Sequence, residues 1–467
     1  MPRLTVPPNL IGTSGIDTLV AEDFNPLAIG IDVLSPGVIN TLSGNDSITG
    51  TGTVGSPYKL IKPSTGIGIN ISGTLNAGDG SDMIVGIGTG GSGIKITGED
   101  GTGNNDSSSL NAGTKSNTNA ADSSTGDIRS SRNGTSGIGI RNSGNLKAGN
   151  GNDIITGTGT GGATRGGGGG SAAPDRQGVT GIGISNSYRF DAGKGNDTIT
   201  GTGTGGTGAP GGFQGGDDSK GGDGGAGIGI SNSGSFDAGD GNDTIKGIGT
   251  SGNGSEGMIF AITQSIPPSI FRGESGDGGT GIGIQNIKNA TIITGLGKDT
   301  IKGFGDSLGL KATVYGIFND GIIDTGDDHD ILTGQSITTL GGTAYGIYGK
   351  GTINTGNGND KVTATSSINK VEQKVSIGGG IHLSLGAGDD YFKGFGGAIV
   401  DGGKGFDTLD LSSFKRSGVT VSGVAFSNPN EVVNITFKDN GNSITLLTTG
   451  FEKFIFADSS LDYSNLI

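Results

Sequence analysis

The chain has 467 residues, a formal net charge of −14, 103 glycines, no cysteine and no tryptophan. Glycine so far above its usual share of roughly 7%, with aromatics at only 5%, excludes an ordinary globular core over most of the length. The lack of cysteine excludes disulfides and thiolate metal sites, and the acidity disfavours nucleic acid and anionic membranes as partners. Only 12 prolines are present, so neither a collagen nor a polyproline reading fits. No stretch approaches the ~20 apolar residues of a membrane-spanning helix. Residues Met1 to Ala21 carry no apolar run of the kind a cleaved secretory signal needs. The expectation is a chain that stays inside or leaves by a route read from another part of it.

Taken in order, the chain opens with an imperfect turn, Gly12-Thr13-Ser14-Gly15-Ile16-Asp17, followed by Ile29-Gly30-Ile31. A composite unit then repeats. Its first part is a glycine-rich turn closing on aspartate, at Ala77–Ile84, Ala148–Ile155, Ala192–Ile199, Ala238–Ile245 and Thr355–Val362, with looser copies ending in Asp17, Asp46, Asp299, Asp330, Asp390 and Asp407. The second is a strand such as Thr198-Ile199-Thr200-Gly201-Thr202, and the third a Gly-Ile-Gly-Ile strand, at Gly66, Gly137, Gly181, Gly227 and Gly281. A short run such as Ser235-Phe236-Asp237 leads into the next turn.

Spacing separates repeat from tract. Asp330, Asp360 and Asp390 lie 30 residues apart, whereas Asp153, Asp197 and Asp243 lie 44 and 46 apart. The extra length enters at one place, between the strand after the aspartate and the next Gly-Ile-Gly-Ile. Elsewhere the phase holds: Ile67, Ile138, Ile182 and Ile228 each precede their aspartate by 15 residues. The fold expected is therefore all-β, a glycine-rich parallel β-solenoid with coils of about 30 residues, loops inserted at one corner, and a C-terminal β-rich cap. Ile-Gly-Ile is expected to point its isoleucines inward. The insertions Gly161–Thr180, Gly203–Ala226 and Thr250–Thr280 would fringe one edge, and Thr89–Ser136 is long enough to hide a decayed coil near Asn105-Asp106. From Asp407 glycine thins, and Leu409, Leu411, Phe414, Val419 and Val421 begin an apolar, alternating segment. The expected division is residues 1–406 as solenoid and 407–467 as cap with a secretion signal in its tail.

The turns carry the chemistry. Glycine permits φ > 0 and lets carbonyl oxygens converge, and the closing aspartate adds a charged oxygen. Hard oxygen ligands, six to eight of them, are what Ca²⁺ selects. One turn supplies too few; two stacked turns supply enough, so an ion would sit between coils.

These turns resemble the nonapeptide of the repeats-in-toxin (hemolysin-type) calcium-binding family, Gly-Gly-x-Gly-x-Asp-x-apolar-x. Gly402-Gly403-Lys404-Gly405-Phe406-Asp407-Thr408-Leu409 contains the full form. The resemblance implies Ca²⁺ ligation by Asp82, Asp153, Asp197, Asp243, Asp299, Asp330, Asp360, Asp390 and Asp407. It implies that the turn glycines Gly78, Gly80, Gly149, Gly151, Gly193, Gly195, Gly239, Gly241, Gly356 and Gly358 present carbonyl oxygens beside them. The chain departs from the family in having one motif per coil rather than nonapeptides back to back, so any calcium ladder would follow one edge. The leading glycine is usually Ala or Thr here. The family also implies export by type I secretion, with an uncleaved signal in the tail Phe454–Ile467, and sites that fill only outside the cell. The reading is a secreted or cell-surface, calcium-binding structural or adhesive protein, with surface polysaccharide or another surface protein as partner.

No catalytic function is expected. Gly-x-Gly-x-x-Gly matches occur by chance at this glycine content, without the strand–turn–helix context of dinucleotide binding. His329 and His382 are the only histidines, and His329 falls inside a repeat turn as a surface position. A carbohydrate-active β-helix enzyme is the alternative, using Asp217, Asp218 and Asp223, or Lys311 with Tyr315; a solvated acidic loop is the simpler reading of the former. A metal-independent solenoid adhesin is the other alternative. The apolar insert Met258–Phe271 is either a partner-binding loop or a strap along the flank.

Overall fold

The computed structural model describes residues 2–24, 28–55, 65–93, 134–164, 177–211, 220–257, 259–262, 269–424, 431–439 and 441–466. Asn105-Asp106 and the acidic loop positions Asp217 and Asp218 lie outside them, as does half of the insert Met258–Phe271. Among the described residues there is no α-helix, and the chain winds into a stack of mostly parallel strands, the β-solenoid its repeat predicts.

Each coil contributes three strands. Ser47–Thr53, Gly66–Ile71 and Thr74–Asp79 form one set, and each pairs in parallel with its counterpart in the coils before and after. The first two kinds of strand belong to a 22-stranded sheet and the third to a 14-stranded sheet. Repeat phase becomes register: Ile155 pairs with Ile84 on one side and Ile199 on the other, and Leu146 pairs with Leu75 and Phe190. Because Met83 pairs directly with Ile154, no further coil is stacked between the Asp82 and Asp153 turns.

Three inward files make the core. The residue two after each turn acid gives Ile48, Ile84, Ile155, Ile199, Ile245 and Ile301, continuing through Leu332 and Val362 to Phe392. The third strand gives Leu75, Leu146, Phe190, Phe236, Ile292 and Ile323, with Phe190 and Phe236 stacked at 4.1 Å and 6°. The Gly-Ile-Gly-Ile strand gives only its second isoleucine: Ile69, Ile140, Ile184, Ile230 and Ile284. Ile67, Ile138 and Ile282 are buried, at 3%, 6% and 6% exposure, and Ile182 and Ile228 partly so, but all five lie outside the central cluster, where the expectation had both isoleucines point in. The reason is the glycine between them. The ladder passes over Gly68, Gly139 and Gly183, and a Cβ on Gly68 would fall 2.1 Å from the amide nitrogen of Ile87 in the facing strand. That glycine turns inward and lets two strands of one coil meet backbone to backbone, reversing the alternation.

A buried asparagine ladder fixes the corner after this strand. Asn142 donates its amide to Asn186 Oδ1 at 2.8 Å, Asn186 to Asn232 at 2.8 Å, Asn232 to Asn286 at 2.9 Å and Asn286 to Asn319 at 2.8 Å. The second amide hydrogen reaches a main-chain carbonyl of the next coil, as from Asn142 to Arg189 O and from Asn186 to Ser235 O.

The described residues of the insertions pair with one another from coil to coil. Gly205, Gly208 and Gly211 donate to the carbonyls of Thr250, Asn253 and Glu256, while Gly221 and Gly224 donate to Glu274 and Asp277. Gly225, Gly252 and Gly279 link further neighbours, to Gly206, Gly225 and Gly252. A hydrogen-bond period of three is that of polyproline II, which makes no bonds within its own chain and satisfies its backbone laterally. Contact is close enough that a Cβ on Gly224 would meet Gly252 O at 1.8 Å.

The C-terminal segment is β-rich and changes pairing to antiparallel: Val433–Asp439 pairs with Asn442–Thr449, and Lys453–Phe456 with Ser460–Asp462. Two of its strands still extend the stack, since Thr408–Leu411 pairs in parallel with Lys453–Phe456, and Ala398–Asp401 with residues of Asn442–Thr449. No helix among the described residues is long and apolar enough to cross a membrane.

Candidate metal centre

The solenoid places the predicted turn aspartates in a single file. Each donates its main-chain N–H to Oδ1 of the aspartate in the following coil: Asp82 to Asp153, Asp153 to Asp197, Asp197 to Asp243, Asp243 to Asp299, and onward through Asp330, Asp360, Asp390 and Asp407, all at 2.7–2.8 Å. The looser copies join it, with Asp17 donating to Asp46 and Asp46 to Asp82 at 2.7 Å. Asp17 differs in being partly exposed, and its carboxylate accepts locally from Thr13 N at 2.7 Å. The file ends on a residue outside the motif. Asp407 N donates to Oε2 of Glu452 at 2.7 Å, and Glu452 precedes the core residue Phe454 just as each aspartate precedes its own apolar residue.

Position is set by the glycines. All ten predicted turn glycines have φ between 81° and 150°, and at Gly149 a Cβ would sit 1.4 Å from Gly78 O of the coil below. No L side chain is tolerated at such an approach. Two turns with buried acids depart: Leu42 takes the place of the first glycine before Asp46 with φ 74°, and Asp328 that of the second before Asp330 with φ 90°.

A second file runs beside the first in the opposite sense. The residue before the acid accepts, through its side chain, from the N–H of the coil after it: Asn152 from Asn196, Asn196 from Asn242, and Asn242 from Lys298, each at 2.7 Å. His329 plays the same part, its Nδ1 accepting from Asn359 N at 2.6 Å. The turn is thus held downward through one residue and upward through its neighbour.

Each carboxylate spends one oxygen on this ladder. The other, Oδ2, is buried and without a hydrogen-bond partner in Asp46, Asp82, Asp153, Asp197, Asp243, Asp299, Asp330, Asp360, Asp390 and Asp407. Every one of these side chains is at most 2% exposed. Burial raises the pKa values of the nine from Asp82 onward, and the acids above and below add to it in several: Asp82, Asp153, Asp197, Asp299 and Asp407 to about 6, Asp330 and Asp390 to about 7, and Asp243 to about 8. The amide bond each accepts opposes the rise. Thr294, Thr325 and Thr355 also lower their neighbouring acids, although Thr294 and Thr355 give their hydroxyl hydrogens to the carbonyls of Thr325 and Leu385 at 2.9 and 2.7 Å.

An unpartnered buried carboxylate oxygen is costly, and ten in line form a row that selects a hard cation or a proton. Among the described residues no three acidic or histidine side chains converge as a metal cage. Further ligands would have to be main-chain oxygens. Those of the turns lie along the stack, with Lys194 O accepting from Gly151 N at 2.7 Å and Asp240 O from Gly195 N at 2.8 Å, each keeping a second lone pair. The donor set, carboxylate and carbonyl oxygen only, fits Ca²⁺.

Three features escaped the sequence reading. Glu452 was legible as an acid in phase with Phe454. The asparagine ladder was legible as an Asn two residues after each second isoleucine. The rods were legible as glycines three apart. No protein-family model, curated protein or solved structure matches the chain. What the fold and this row define is a class: a parallel β-solenoid with a file of buried acids along one edge.

Proposed function

We propose that the chain is a secreted or cell-surface structural or adhesive solenoid of the repeats-in-toxin kind, whose turn aspartates bind Ca²⁺ between coils. The supporting observation is the row of buried Oδ2 atoms, one per turn and each lacking a partner. Asp82 through Asp407 would hold the ions, helped by carbonyls of the turn glycines; Ca²⁺ would supply the counter-charge that the file lacks. Sites of the extracellular type have Kd near 10⁻⁴–10⁻³ M, so an exported chain would fold on meeting calcium. No catalytic step is assigned to it.

The test is a calorimetric calcium titration of the full chain after chelation, with circular dichroism followed in parallel. Several ions per chain and a rise in β-signal are expected. Absence of binding heat, with the same melting curve in chelator and in millimolar calcium, would overturn the proposal in favour of a metal-independent solenoid. The raised pKa values are what favours that second reading, since protonated acids need no ion.

A further inference from the structure

A repeat protein carries its own control, because each outward position is sampled coil after coil. On the Gly-Ile-Gly-Ile strand, two outward rows depart from the pattern in the same two adjacent coils. The row of Ile228 and Ile282 becomes Tyr315 and then Tyr345. The row of Asn70, Arg141, Ser185, Ser231 and Gln285 becomes Phe318 and then Tyr348. Three of the chain's seven tyrosines fall in this two-by-two tile.

The rings form one surface. Tyr315 and Tyr345 stack at 6.3 Å and 10°, Phe318 and Tyr348 at 6.1 Å and 27°, and Tyr345 contacts Tyr348 at 4.8 Å. All four are half-buried, none belonging to the core. In the next coil the row of Tyr348 holds Gly378, where a Cβ would come within 3.1 Å of both Tyr345 Cε1 and Tyr348 Cδ2. The tyrosines lean over the space left by that missing side chain. Cross-strand aromatic pairs stabilise sheets by about 0.2–1 kcal/mol, but on these two rows that gain is open to every coil and, among the described residues, only these two coils take it.

Beside the tile lies a cavity of about 430 Å³, inside the range of roughly 300–1,000 Å³ typical of small-ligand sites. Tyr345, Ile368, Val371 and Phe437 give it apolar walls, and Thr343, Glu372, Gln373 and Lys374 supply its polar groups. Lys374 Nζ lies 4.9 Å from the Phe437 ring centroid, and Gln373 gives its amide to Val371 O at 2.8 Å, leaving its oxygen to accept. A wholly apolar partner would cover the Glu372 carboxylate and Lys374 ammonium without pairing them. A ligand with an apolar face and a hydroxylated edge satisfies both surfaces, and that is a pyranose ring.

We propose that the tile and its cavity bind a neutral hexose unit of a polysaccharide, with C–H faces on Tyr345 and Tyr315 and hydroxyls toward Gln373 and Glu372. The proposal rests on the adhesive half of the function proposed above, and is independent of calcium. The test titrates the full chain with maltohexaose, cellohexaose and laminarihexaose, by calorimetry and by tyrosine emission, which no tryptophan obscures. Each titration is run in calcium and in chelator. Saturable binding of at least one is expected, weakened roughly tenfold or more by Tyr345→Ala, largely kept by Tyr345→Phe, weakened by Gly378→Ala, and unchanged by Lys147→Ala, exposed on the other sheet. Circular dichroism of each variant confirms the fold. Binding in a chain that takes up no calcium would support this site while the calcium proposal fails. No saturable response to any of the three, or native-like binding by the double variant Tyr345→Ala, Tyr348→Ala, overturns the inference. So does a change in sedimentation of those variants without any sugar effect, which would make the tile a contact between copies.

Discussion

The amide of Asp407 meets Glu452 Oε2 at 2.7 Å, so the acid file ends on a carboxylate supplied by the antiparallel cap. Glu452→Ala leaves a buried N–H without an acceptor, and the expected cost is about 1–3 kcal/mol. Glu452→Gln keeps an acceptor and should recover most of it. Urea unfolding of the three chains in chelator measures both, and equal losses in the two variants would show that the side-chain oxygen is not what matters.

Asp243 is the acid whose carboxyl is pushed highest, to about 8, chiefly by burial and then by Asp197, Asp299 and Asp237 around it. Asp243→Asn keeps the acceptor for Asp197 N and removes the charge. Calcium stoichiometry should fall by about one or two ions, since one carboxylate borders two inter-coil spaces, while the metal-free chain at pH 9 should melt no lower than the native one. Calorimetry and thermal melts check the pair.

Stability of the metal-free chain should fall as pH rises from about 4 to about 8. The folded acids titrate at about 6 to 8 against an ordinary 3.8, so in that window the folded state holds more protons than the unfolded one, and deprotonation favours unfolding. Calcium reverses the sign, because ion and proton compete for the same oxygens. Melting temperature against pH, with and without calcium, should give two lines that diverge upward in pH.

Asn232 gives one amide hydrogen to Asn286 and another to Thr291 O while accepting from Asn186. Asn232→Ala strands partners in both neighbouring coils, with an expected loss of at least about 1–3 kcal/mol. Asn232→Asp should fare no better, since it removes the two donors. Denaturant midpoints decide this.

Asp328 holds φ 90° where other turns use glycine. Asp328→Gly should stabilise the chain by roughly 1 kcal/mol, visible as a higher melting temperature in chelator.

Much of this was written in the sequence because a solenoid turns spacing into register. Fifteen residues between Ile138 and Asp153 became a place in the stack, and the apolar residue after each acid became a core file. Ile67 was misread because alternation assumes an unbroken strand, and Gly68, by turning inward, breaks it. Glu452 was missed because its chemistry was sought only within glycine-rich turns. The rods around Gly205 and Gly224 were missed because a three-residue period carries no apolar signature: its bonds lie between segments, and nothing in one segment names its neighbour.

The two files at the turn face opposite ways, and the buried one has a directional consequence. Each aspartate amide waits for an oxygen that lies later in the chain, so no coil can complete its inner bond until the one behind it has emerged. Among the described residues, the acceptor that belongs to no glycine-rich turn is that of Glu452. A chain delivered from its first residue would therefore finish each coil one step late, every newly emerged acid locking the turn before it, and the last lock would come from the cap.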